Sequence, residues 1–533
     1  MNACPSVSLV TIVTSGSITA PSNSTALPFE TDIDGKNWNW ITVSTRNRPR
    51  SAELNLWREI LSVSVSKVVT LVGGLLFIVL LARYFTVELL GLYLFVYAGV
   101  EFLVRLVDGL GKAVRKRVSE TAGHQSEFFV AALTVAGGLY VAVALALVLL
   151  VGLVDVTELG GIFGMLTPAL LGTAYLLFVA ESFSKLAKHY VAGQGYPGRS
   201  EWFGKSFAGV VFFAATAVIL VFELGEATAV FLAGAGAFGA SALLLLAVGR
   251  PRLVRPSRET IRSLYAFGKF SVPNDITRDF YNSFDVFVLG VVVTAASVSY
   301  YEVSLQTAGL VYAVAYGVFA TTNVTISGKH AQGEPVEPTL RDAISIAALL
   351  PVPMIVIAIA FGEDLLAFVF GGEYAVAYLF LVGLSIQQLF HGYRQCFAGF
   401  FYGIDRPSVN LRVNLLAVAV NVVTVLPLVA IFGGIGVVIS TLVADVARLG
   451  AFRSGLQARL ERVPIDRTVP ATFGAGLTML VVALVLAATV TVTPLTLGPL
   501  VLVSVGSYVA ALLVLSEQFQ LAAARAVARL TGD

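Results

Sequence analysis

Residues 128–153, FFVAALTVAGGLYVAVALALVLLVGL, decide the fold. The stretch carries no charge and exceeds the roughly 20 apolar residues that carry a helix across a bilayer. Lipid offers no partner for backbone N–H and C=O groups, so such a run must satisfy them internally as a helix. Comparable runs recur at 61–83, 89–110, 161–182, 205–224, 228–248, 271–293, 302–324, 342–361, 375–401, 411–432, 434–451, 470–491 and 494–515. The expected fold is therefore an all-α membrane protein of about fourteen transmembrane helices. Composition agrees. The chain is 57% hydrophobic and 13% charged, with mean hydropathy +0.84, whereas soluble domains carry roughly 25% charge.

The loops orient the chain. Positive residues collect in short loops on the cytoplasmic face of a membrane. Arg46 to Arg58, Lys112 to Arg117, Lys185 to Lys205, Arg250 to Arg262, Lys329 and Arg341, Arg406 and Arg412, Arg453 to Arg467, and Arg525 with Arg529 all fall on one side. The opposite loops hold little positive charge beyond Arg83. Several are acidic, through Asp155, Glu158, Glu223, Glu226, Glu363, Asp364 and Glu373. Both termini are thus expected in the cytoplasm.

The organisation predicted is a polar, disordered tail over 1–55, an N-terminal lobe over 56–249 and a basic linker over 250–270. A C-terminal lobe follows over 271–452, and 453–533 adds the last two spans and a terminal segment. The turn at Ser297–Tyr301 echoes Leu89–Tyr93 at an offset of about 208 residues. Two pseudo-symmetric six-helix lobes flanking a midplane site is a common transporter plan. Cys4 and Cys396 lie in the tail and in a span, so neither a disulfide nor a metal site is expected.

Charges inside spans are costly, and they face cavities or partners. Glu101, Arg105 and Asp108 share one face of the second span, and Lys67 lies in the first. Asp275, Arg278 and Asp285 line up in the seventh, beside Asp279. The eighth adds Glu302, Gln306, Tyr312 and Tyr316, and the tenth adds Gln387, His391, Arg394 and Gln395. Some acid–base pairs would merely staple helices. Polar stripes on four helices are read more simply as a shared hydrated cavity. A phosphate loop ending in Lys-Ser/Thr and a His-Glu-x-x-His stretch are both missing, so the sequence reads as a non-enzyme with no cofactor and no nucleic-acid partner.

Leu81–Phe85 followed by Gly91–Tyr93 resembles the opening hairpin of the polysaccharide-biosynthesis flippases. These are the Wzx-type members of the multidrug/oligosaccharidyl-lipid/polysaccharide exporter (MOP) superfamily. Asp285, Leu289-Gly290 and Val298–Tyr301 resemble that family's seventh-to-eighth hairpin, and Phe370–Ala375 its stretch before the tenth span. Gly403–Arg406, Asn421 and Phe432–Gly436 are similar to its eleventh and twelfth spans. The resemblance implies a flippase that moves a polyprenyl-(pyro)phosphate-linked oligosaccharide to the outer leaflet by alternating access. It also implies a lipid-linked oligosaccharide substrate and work beside glycosyltransferases, a glycan polymerase or a ligase.

An anionic head group needs cations in its path. Lys67, Arg105, Arg278 and Arg394 are the candidates, with Gln306, Tyr312 and Tyr316 for the sugars. Glu101, Asp108, Asp275 and Asp285 are the candidates for H⁺ or Na⁺ coupling. A cation-coupled multidrug exporter of the same superfamily is one alternative, and a membrane-embedded glycan polymerase or ligase is another.

Overall fold

The computed structural model describes residues 72–120, 124–153, 160–266, 283–457, 466–517 and 519–520, all within one compact unit spanning Ser51–Asp533. The predicted tail over 1–55 lies outside the described residues, as does the first part of the first span. The described residues are helical, without strands.

Helices α1 (Val72–Tyr84), α2 (Val87–Glu120), α3 (Gln125–Leu153), α4 (Pro168–Gly193), α5 (Pro197–Val221) and α6 (Ala227–Gly249) form the first half. A short helix, α7 (258–266), follows. The second half comprises α8 (Ser283–Val293), α9 (Ala295–Ala308), α10 (Tyr312–Ala331), α11 (Glu337–Ala347), α12 (Pro351–Phe370), α13 (Tyr378–Gly403), α14 (Pro407–Phe432) and α15 (Ile435–Gln457). Helices α16 (Thr468–Thr489) and α17 (Pro494–Leu515) pack against α12. Every predicted span overlaps a helix. Among the described residues, eleven helical stretches are long and apolar enough to cross a membrane, and α1 and α8 are shorter apolar helices.

Local chemistry sets the ends. Thr167 caps α4 by accepting from the Leu170 amide, with Pro168 in the first turn. Thr493 and Thr496 form a reciprocal cap on α17. Four boundaries differ from the sequence reading. The second span, read as ending at 110, continues to Glu120, so Lys112 to Arg117 ride on α2 rather than in a loop. The fourth, read as ending at 182, continues to Gly193 and takes Lys185 and Lys188 with it. The eighth is interrupted by a 3₁₀ turn at Gly309–Val311. The ninth, read as 342–361, straddles two helices, because Pro351 starts α12 afresh after the turn at 348–350. In the first two cases hydropathy lost a helix whose charges are paired within the protein.

The core is continuous at one end of the molecule and divided at the other. Ile78, Tyr93 and Val104 of the first half pack in one cluster with Val298, Phe370 and Val438 of the second. Further along the same helices the core separates. Val107, Phe128, Leu186 and Leu264 form one cluster, and Ile326, Ile344, Phe400 and Phe452 another.

The shared end is tightly closed. Gly91 on α2 faces the backbone of Ala295 on α9 so closely that a Cβ there would lie 1.8 Å from the Ala295 carbonyl oxygen. Ser299 donates to the Val87 carbonyl at 2.6 Å. Arg83 donates from Nε to the Val369 carbonyl at 3.0 Å and from its terminal nitrogen to the Phe368 carbonyl. Those carbonyls belong to the last turn of α12, the negative end of its dipole.

Candidate functional site

Two charged sets lie where the common core ends. On α2 the common core reaches Val104 and the separate one starts at Val107. Glu101, Arg105, Asp108 and Lys112 occupy this stretch of α2 at spacings of three and four, on one face. The facing stretch of α4, between Phe178 and Leu186, supplies Glu181 and Lys185, with His189 one turn on. The two helices interlock there because Gly111 has no side chain. A Cβ at that position would sit 2.4 Å from the His189 ring.

Lys185 bridges the two helices, with its Nζ 2.9 Å from Glu181 Oε1 and 3.3 Å from Glu101 Oε2. Arg105 reaches Glu101 at 3.1 Å, and the Tyr97 hydroxyl donates to the same carboxylate at 3.2 Å. Asp108 accepts from His189 Nε2 at 3.0 Å and pairs with Lys112 at 3.4 Å. Glu181 is 2% exposed. Arg105 and Lys112 keep about a third of their side-chain surface open. Three acids, Glu101, Asp108 and Glu181, interleave here with three bases, Arg105, Lys112 and Lys185.

In the second half, Asp285 of α8 is buried and its Oδ2 accepts two hydroxyl hydrogen bonds. They come from Tyr301 at 2.9 Å and from Thr441 at 3.0 Å. Asn421 donates to Thr441 at 3.1 Å, and Ser440 donates to the Asn421 carbonyl. Four helices thus converge on one carboxylate held by oxygen-bearing side chains. Nearer the divided end, Arg448 pairs with Asp445 at 2.8 Å, both almost fully buried. Arg394 lies 4.0 Å from the same carboxylate and hydrogen-bonds His391.

The structure brings Glu101, Arg105 and Asp108 together on one side and places Asp285 and Arg394 in separate clusters on the other. Gln306 is half-buried on α9. Lys67, Asp275 and Arg278 lie outside the described residues. Tyr312 and Tyr316 fall on α10, but their side chains lie outside what is described. Glu181, Lys185, His189, Asp445 and Arg448 escaped the sequence reading. The last two sit at i and i+3 inside a predicted span, the same signal that singled out the second span.

Comparison with known proteins places the chain in a family. Two curated relatives from Haloferax volcanii align. One, described as "Probable low-salt glycan biosynthesis flippase Agl15", is 24% identical over 191 residues, 36% of this chain and 40% of that protein. The other, "Probable flippase AglR", is 27% identical over 196 residues, 36% of this chain and 41% of that protein. The alignments thus span well under half the length of these relatives.

Among solved structures, the inward closed conformation of lipid II flippase MurJ superposes with a TM-score of 0.68 at 13% identity, covering 85% of this chain and 98% of that one. An inward-facing MATE-family multidrug resistance transporter of the MOP superfamily scores 0.60 at 16% identity, over 75% and 98%. An outward-facing transporter of the same description scores 0.51 at 15% identity, over 75% and 95%. At these identities the likeness shows the fold. The family model described as "Polysaccharide biosynthesis protein" matches residues 80–379, more than half of the sequence, and the chain is a multi-pass membrane protein that belongs to that family.

Proposed function

We propose that the protein is a flippase that carries a lipid-linked glycan across the plasma membrane, taking a polyprenyl-(pyro)phosphate-linked oligosaccharide from the cytoplasmic leaflet to the outer one. The observation that carries this reading is the placement of charged sets where the common core divides. One end is sealed by backbone-level packing between the halves, and below it the halves keep separate cores. A head group entering from the divided end would pass Lys112 and then reach Arg105, both partly open. Closing that end while parting the seam at Gly91 and Ala295 would complete alternating access between two lobes. The higher score against the inward-facing MATE structure than against the outward-facing one supports this assignment of the open end. The relatives named as flippases support the reading, and the basic loops support cytoplasmic termini.

The expected phenotype is specific. Cells lacking the gene should accumulate a lipid-linked glycan on the cytoplasmic face, and Arg105→Gln should fail to clear it while inserting at normal levels. Normal clearance by that variant would remove Arg105 from the path. A strain with unaltered glycolipid but heightened sensitivity to organic cations would point to drug export instead.

Asp285 is the proposed coupling site for H⁺ or Na⁺, because its buried carboxylate accepts from the Tyr301 and Thr441 hydroxyls, with Asn421 holding Thr441 in turn. Glycolipid flipping in vesicles should stop when the cation gradient is collapsed, and Asp285→Asn should reproduce that loss with the gradient intact. Unchanged transport after collapse would overturn coupling.

A further inference from the structure

The segment that joins the two halves is built as a surface rather than a tether. It leaves α6 through Arg250, whose φ of 44° turns the chain while its amide closes the helix on the Leu246 carbonyl. It is then fastened to the start of α3. The Arg252 amide donates to Ser126 Oγ at 3.1 Å, and the Thr260 hydroxyl donates to Glu127 Oε2 at 2.9 Å. Ser257 caps the short helix α7 through the Thr260 amide. Leu264, 2% exposed, closes the segment onto the core that holds Phe128 and Phe129.

These anchors fix its height in the membrane. Ser126 and Glu127 immediately precede the uncharged run that starts at Phe128, so the segment is held at the boundary between hydrocarbon and water. Its outward side is then decisive. Arg252, Arg255, Arg258 and Arg262 are all exposed, against a single acid, Glu259. Leu253, between Arg252 and Arg255, is 88% exposed, and Tyr265, just after Arg262, 70%. Such exposure is costly in water and natural at a headgroup layer, where aromatic and aliphatic side chains lie beside cationic ones. Orienting the chain requires positive charge in this loop, but it requires neither the anchors nor the apolar side chains.

We propose that residues 250–266 form a strap that binds anionic phospholipid headgroups, with Arg252, Arg255, Arg258 and Arg262 on the phosphates and Leu253 and Tyr265 inserted beside them. The strap rests on the membrane character of the chain, not on what it transports. Each arginine engaged at an anionic surface contributes a factor of about five in association, so two of them give about 25-fold.

The test uses the full-length protein with Cys4 and Cys396 replaced, Leu253→Cys labelled with an environment-sensitive dye, and reconstitution into phosphatidylcholine vesicles with or without phosphatidylglycerol. Quenching by lipids brominated in their acyl chains reports insertion. It should be severalfold stronger in the anionic vesicles, fall to the neutral value in molar salt, and disappear in the R252Q/R255Q/R258Q/R262Q variant at unchanged unfolding temperature. Equal quenching in the two lipids, insensitivity to salt, or a dye that stays aqueous in both would overturn the strap. The salt arm uses the unmutated arginines, so the outcome does not depend on the variant folding. Glycolipid transport by the same preparation is read separately.

Discussion

Lys185→Met is expected to destabilise the purified protein by about 3–5 kcal/mol, the cost of removing one partner of a buried ion pair. The ammonium lies within 3.3 Å of two carboxylates on different helices, and the Glu181 side chain is only 3% exposed. Without Lys185, Glu181 keeps a buried charge with no counterion or takes up a proton, and either costs stability. Glu101 is less affected, because Arg105 and Tyr97 still reach it. The double variant Glu181→Met/Lys185→Met should recover most of the loss, since apolar side chains of similar volume replace a buried pair at little cost.

Thermal unfolding in detergent measures both, and a single variant as stable as the parent would refute the bridge. Transport then separates stapling from function. If the pair only holds α2 to α4, the double variant flips substrate normally. If Lys185 also meets the head group, the double variant is folded and inactive.

What the sequence made visible follows from the range of the interactions. The stripe of Glu101, Arg105 and Asp108 was legible because spacings of three and four residues define a helix face without knowledge of the fold. Its counterpart on α4 was not. Glu181 fell at the predicted end of a span, and Lys185 and Lys188 went to a cytoplasmic loop, because hydropathy treats every lysine as solvated. Here Lys185 is paired with Glu101, a residue 84 positions away, and only the folded chain supplies that partner.

On α2 the pairs are local, Lys112 with Asp108 and Arg117 with Glu120. The span reads as ending at 110 because hydropathy falls there, although the helix runs on to Glu120. Asp285 was legible as a charge in a span, but its hydrogen-bond donors Tyr301 and Thr441 come from two other helices, and Asn421, which holds Thr441, from a third. The family resemblance, by contrast, rested on hairpin ends such as Leu81–Phe85 and Phe370–Ala375. The structure explains why those stretches carry a signature. Arg83 grips the Phe368 and Val369 carbonyls at the end of α12, so the first stretch meets the residues just ahead of the second.

Gly91→Val is expected to open that closed end and abolish transport, because the clash is with backbone. The added Cβ would fall 1.8 Å from the Ala295 oxygen and 2.4 Å from its carbonyl carbon, where ordinary contact begins near 3.4 Å. Side chains could swing away, but a helix start cannot. Helices α2 and α9 must therefore part, and the Ser299 to Val87 hydrogen bond goes with them.

Removing that hydrogen bond alone, by Ser299→Ala, should cost only about 1 kcal/mol and leave the seam closed. Gly99→Val, on the same helix with nothing among the described residues within 4 Å, controls for a β-branched residue in α2. The readout is a Ser299→Cys thiol in a background without Cys4 and Cys396, probed with a membrane-impermeant maleimide. Ser299 is fully buried, so the thiol should be protected in the parent and in the Gly99 variant and labelled rapidly with Gly91→Val. Equal labelling of all three would mean that the halves are not held together at Gly91 and Ala295. The alternating-access reading would then lose its closed end.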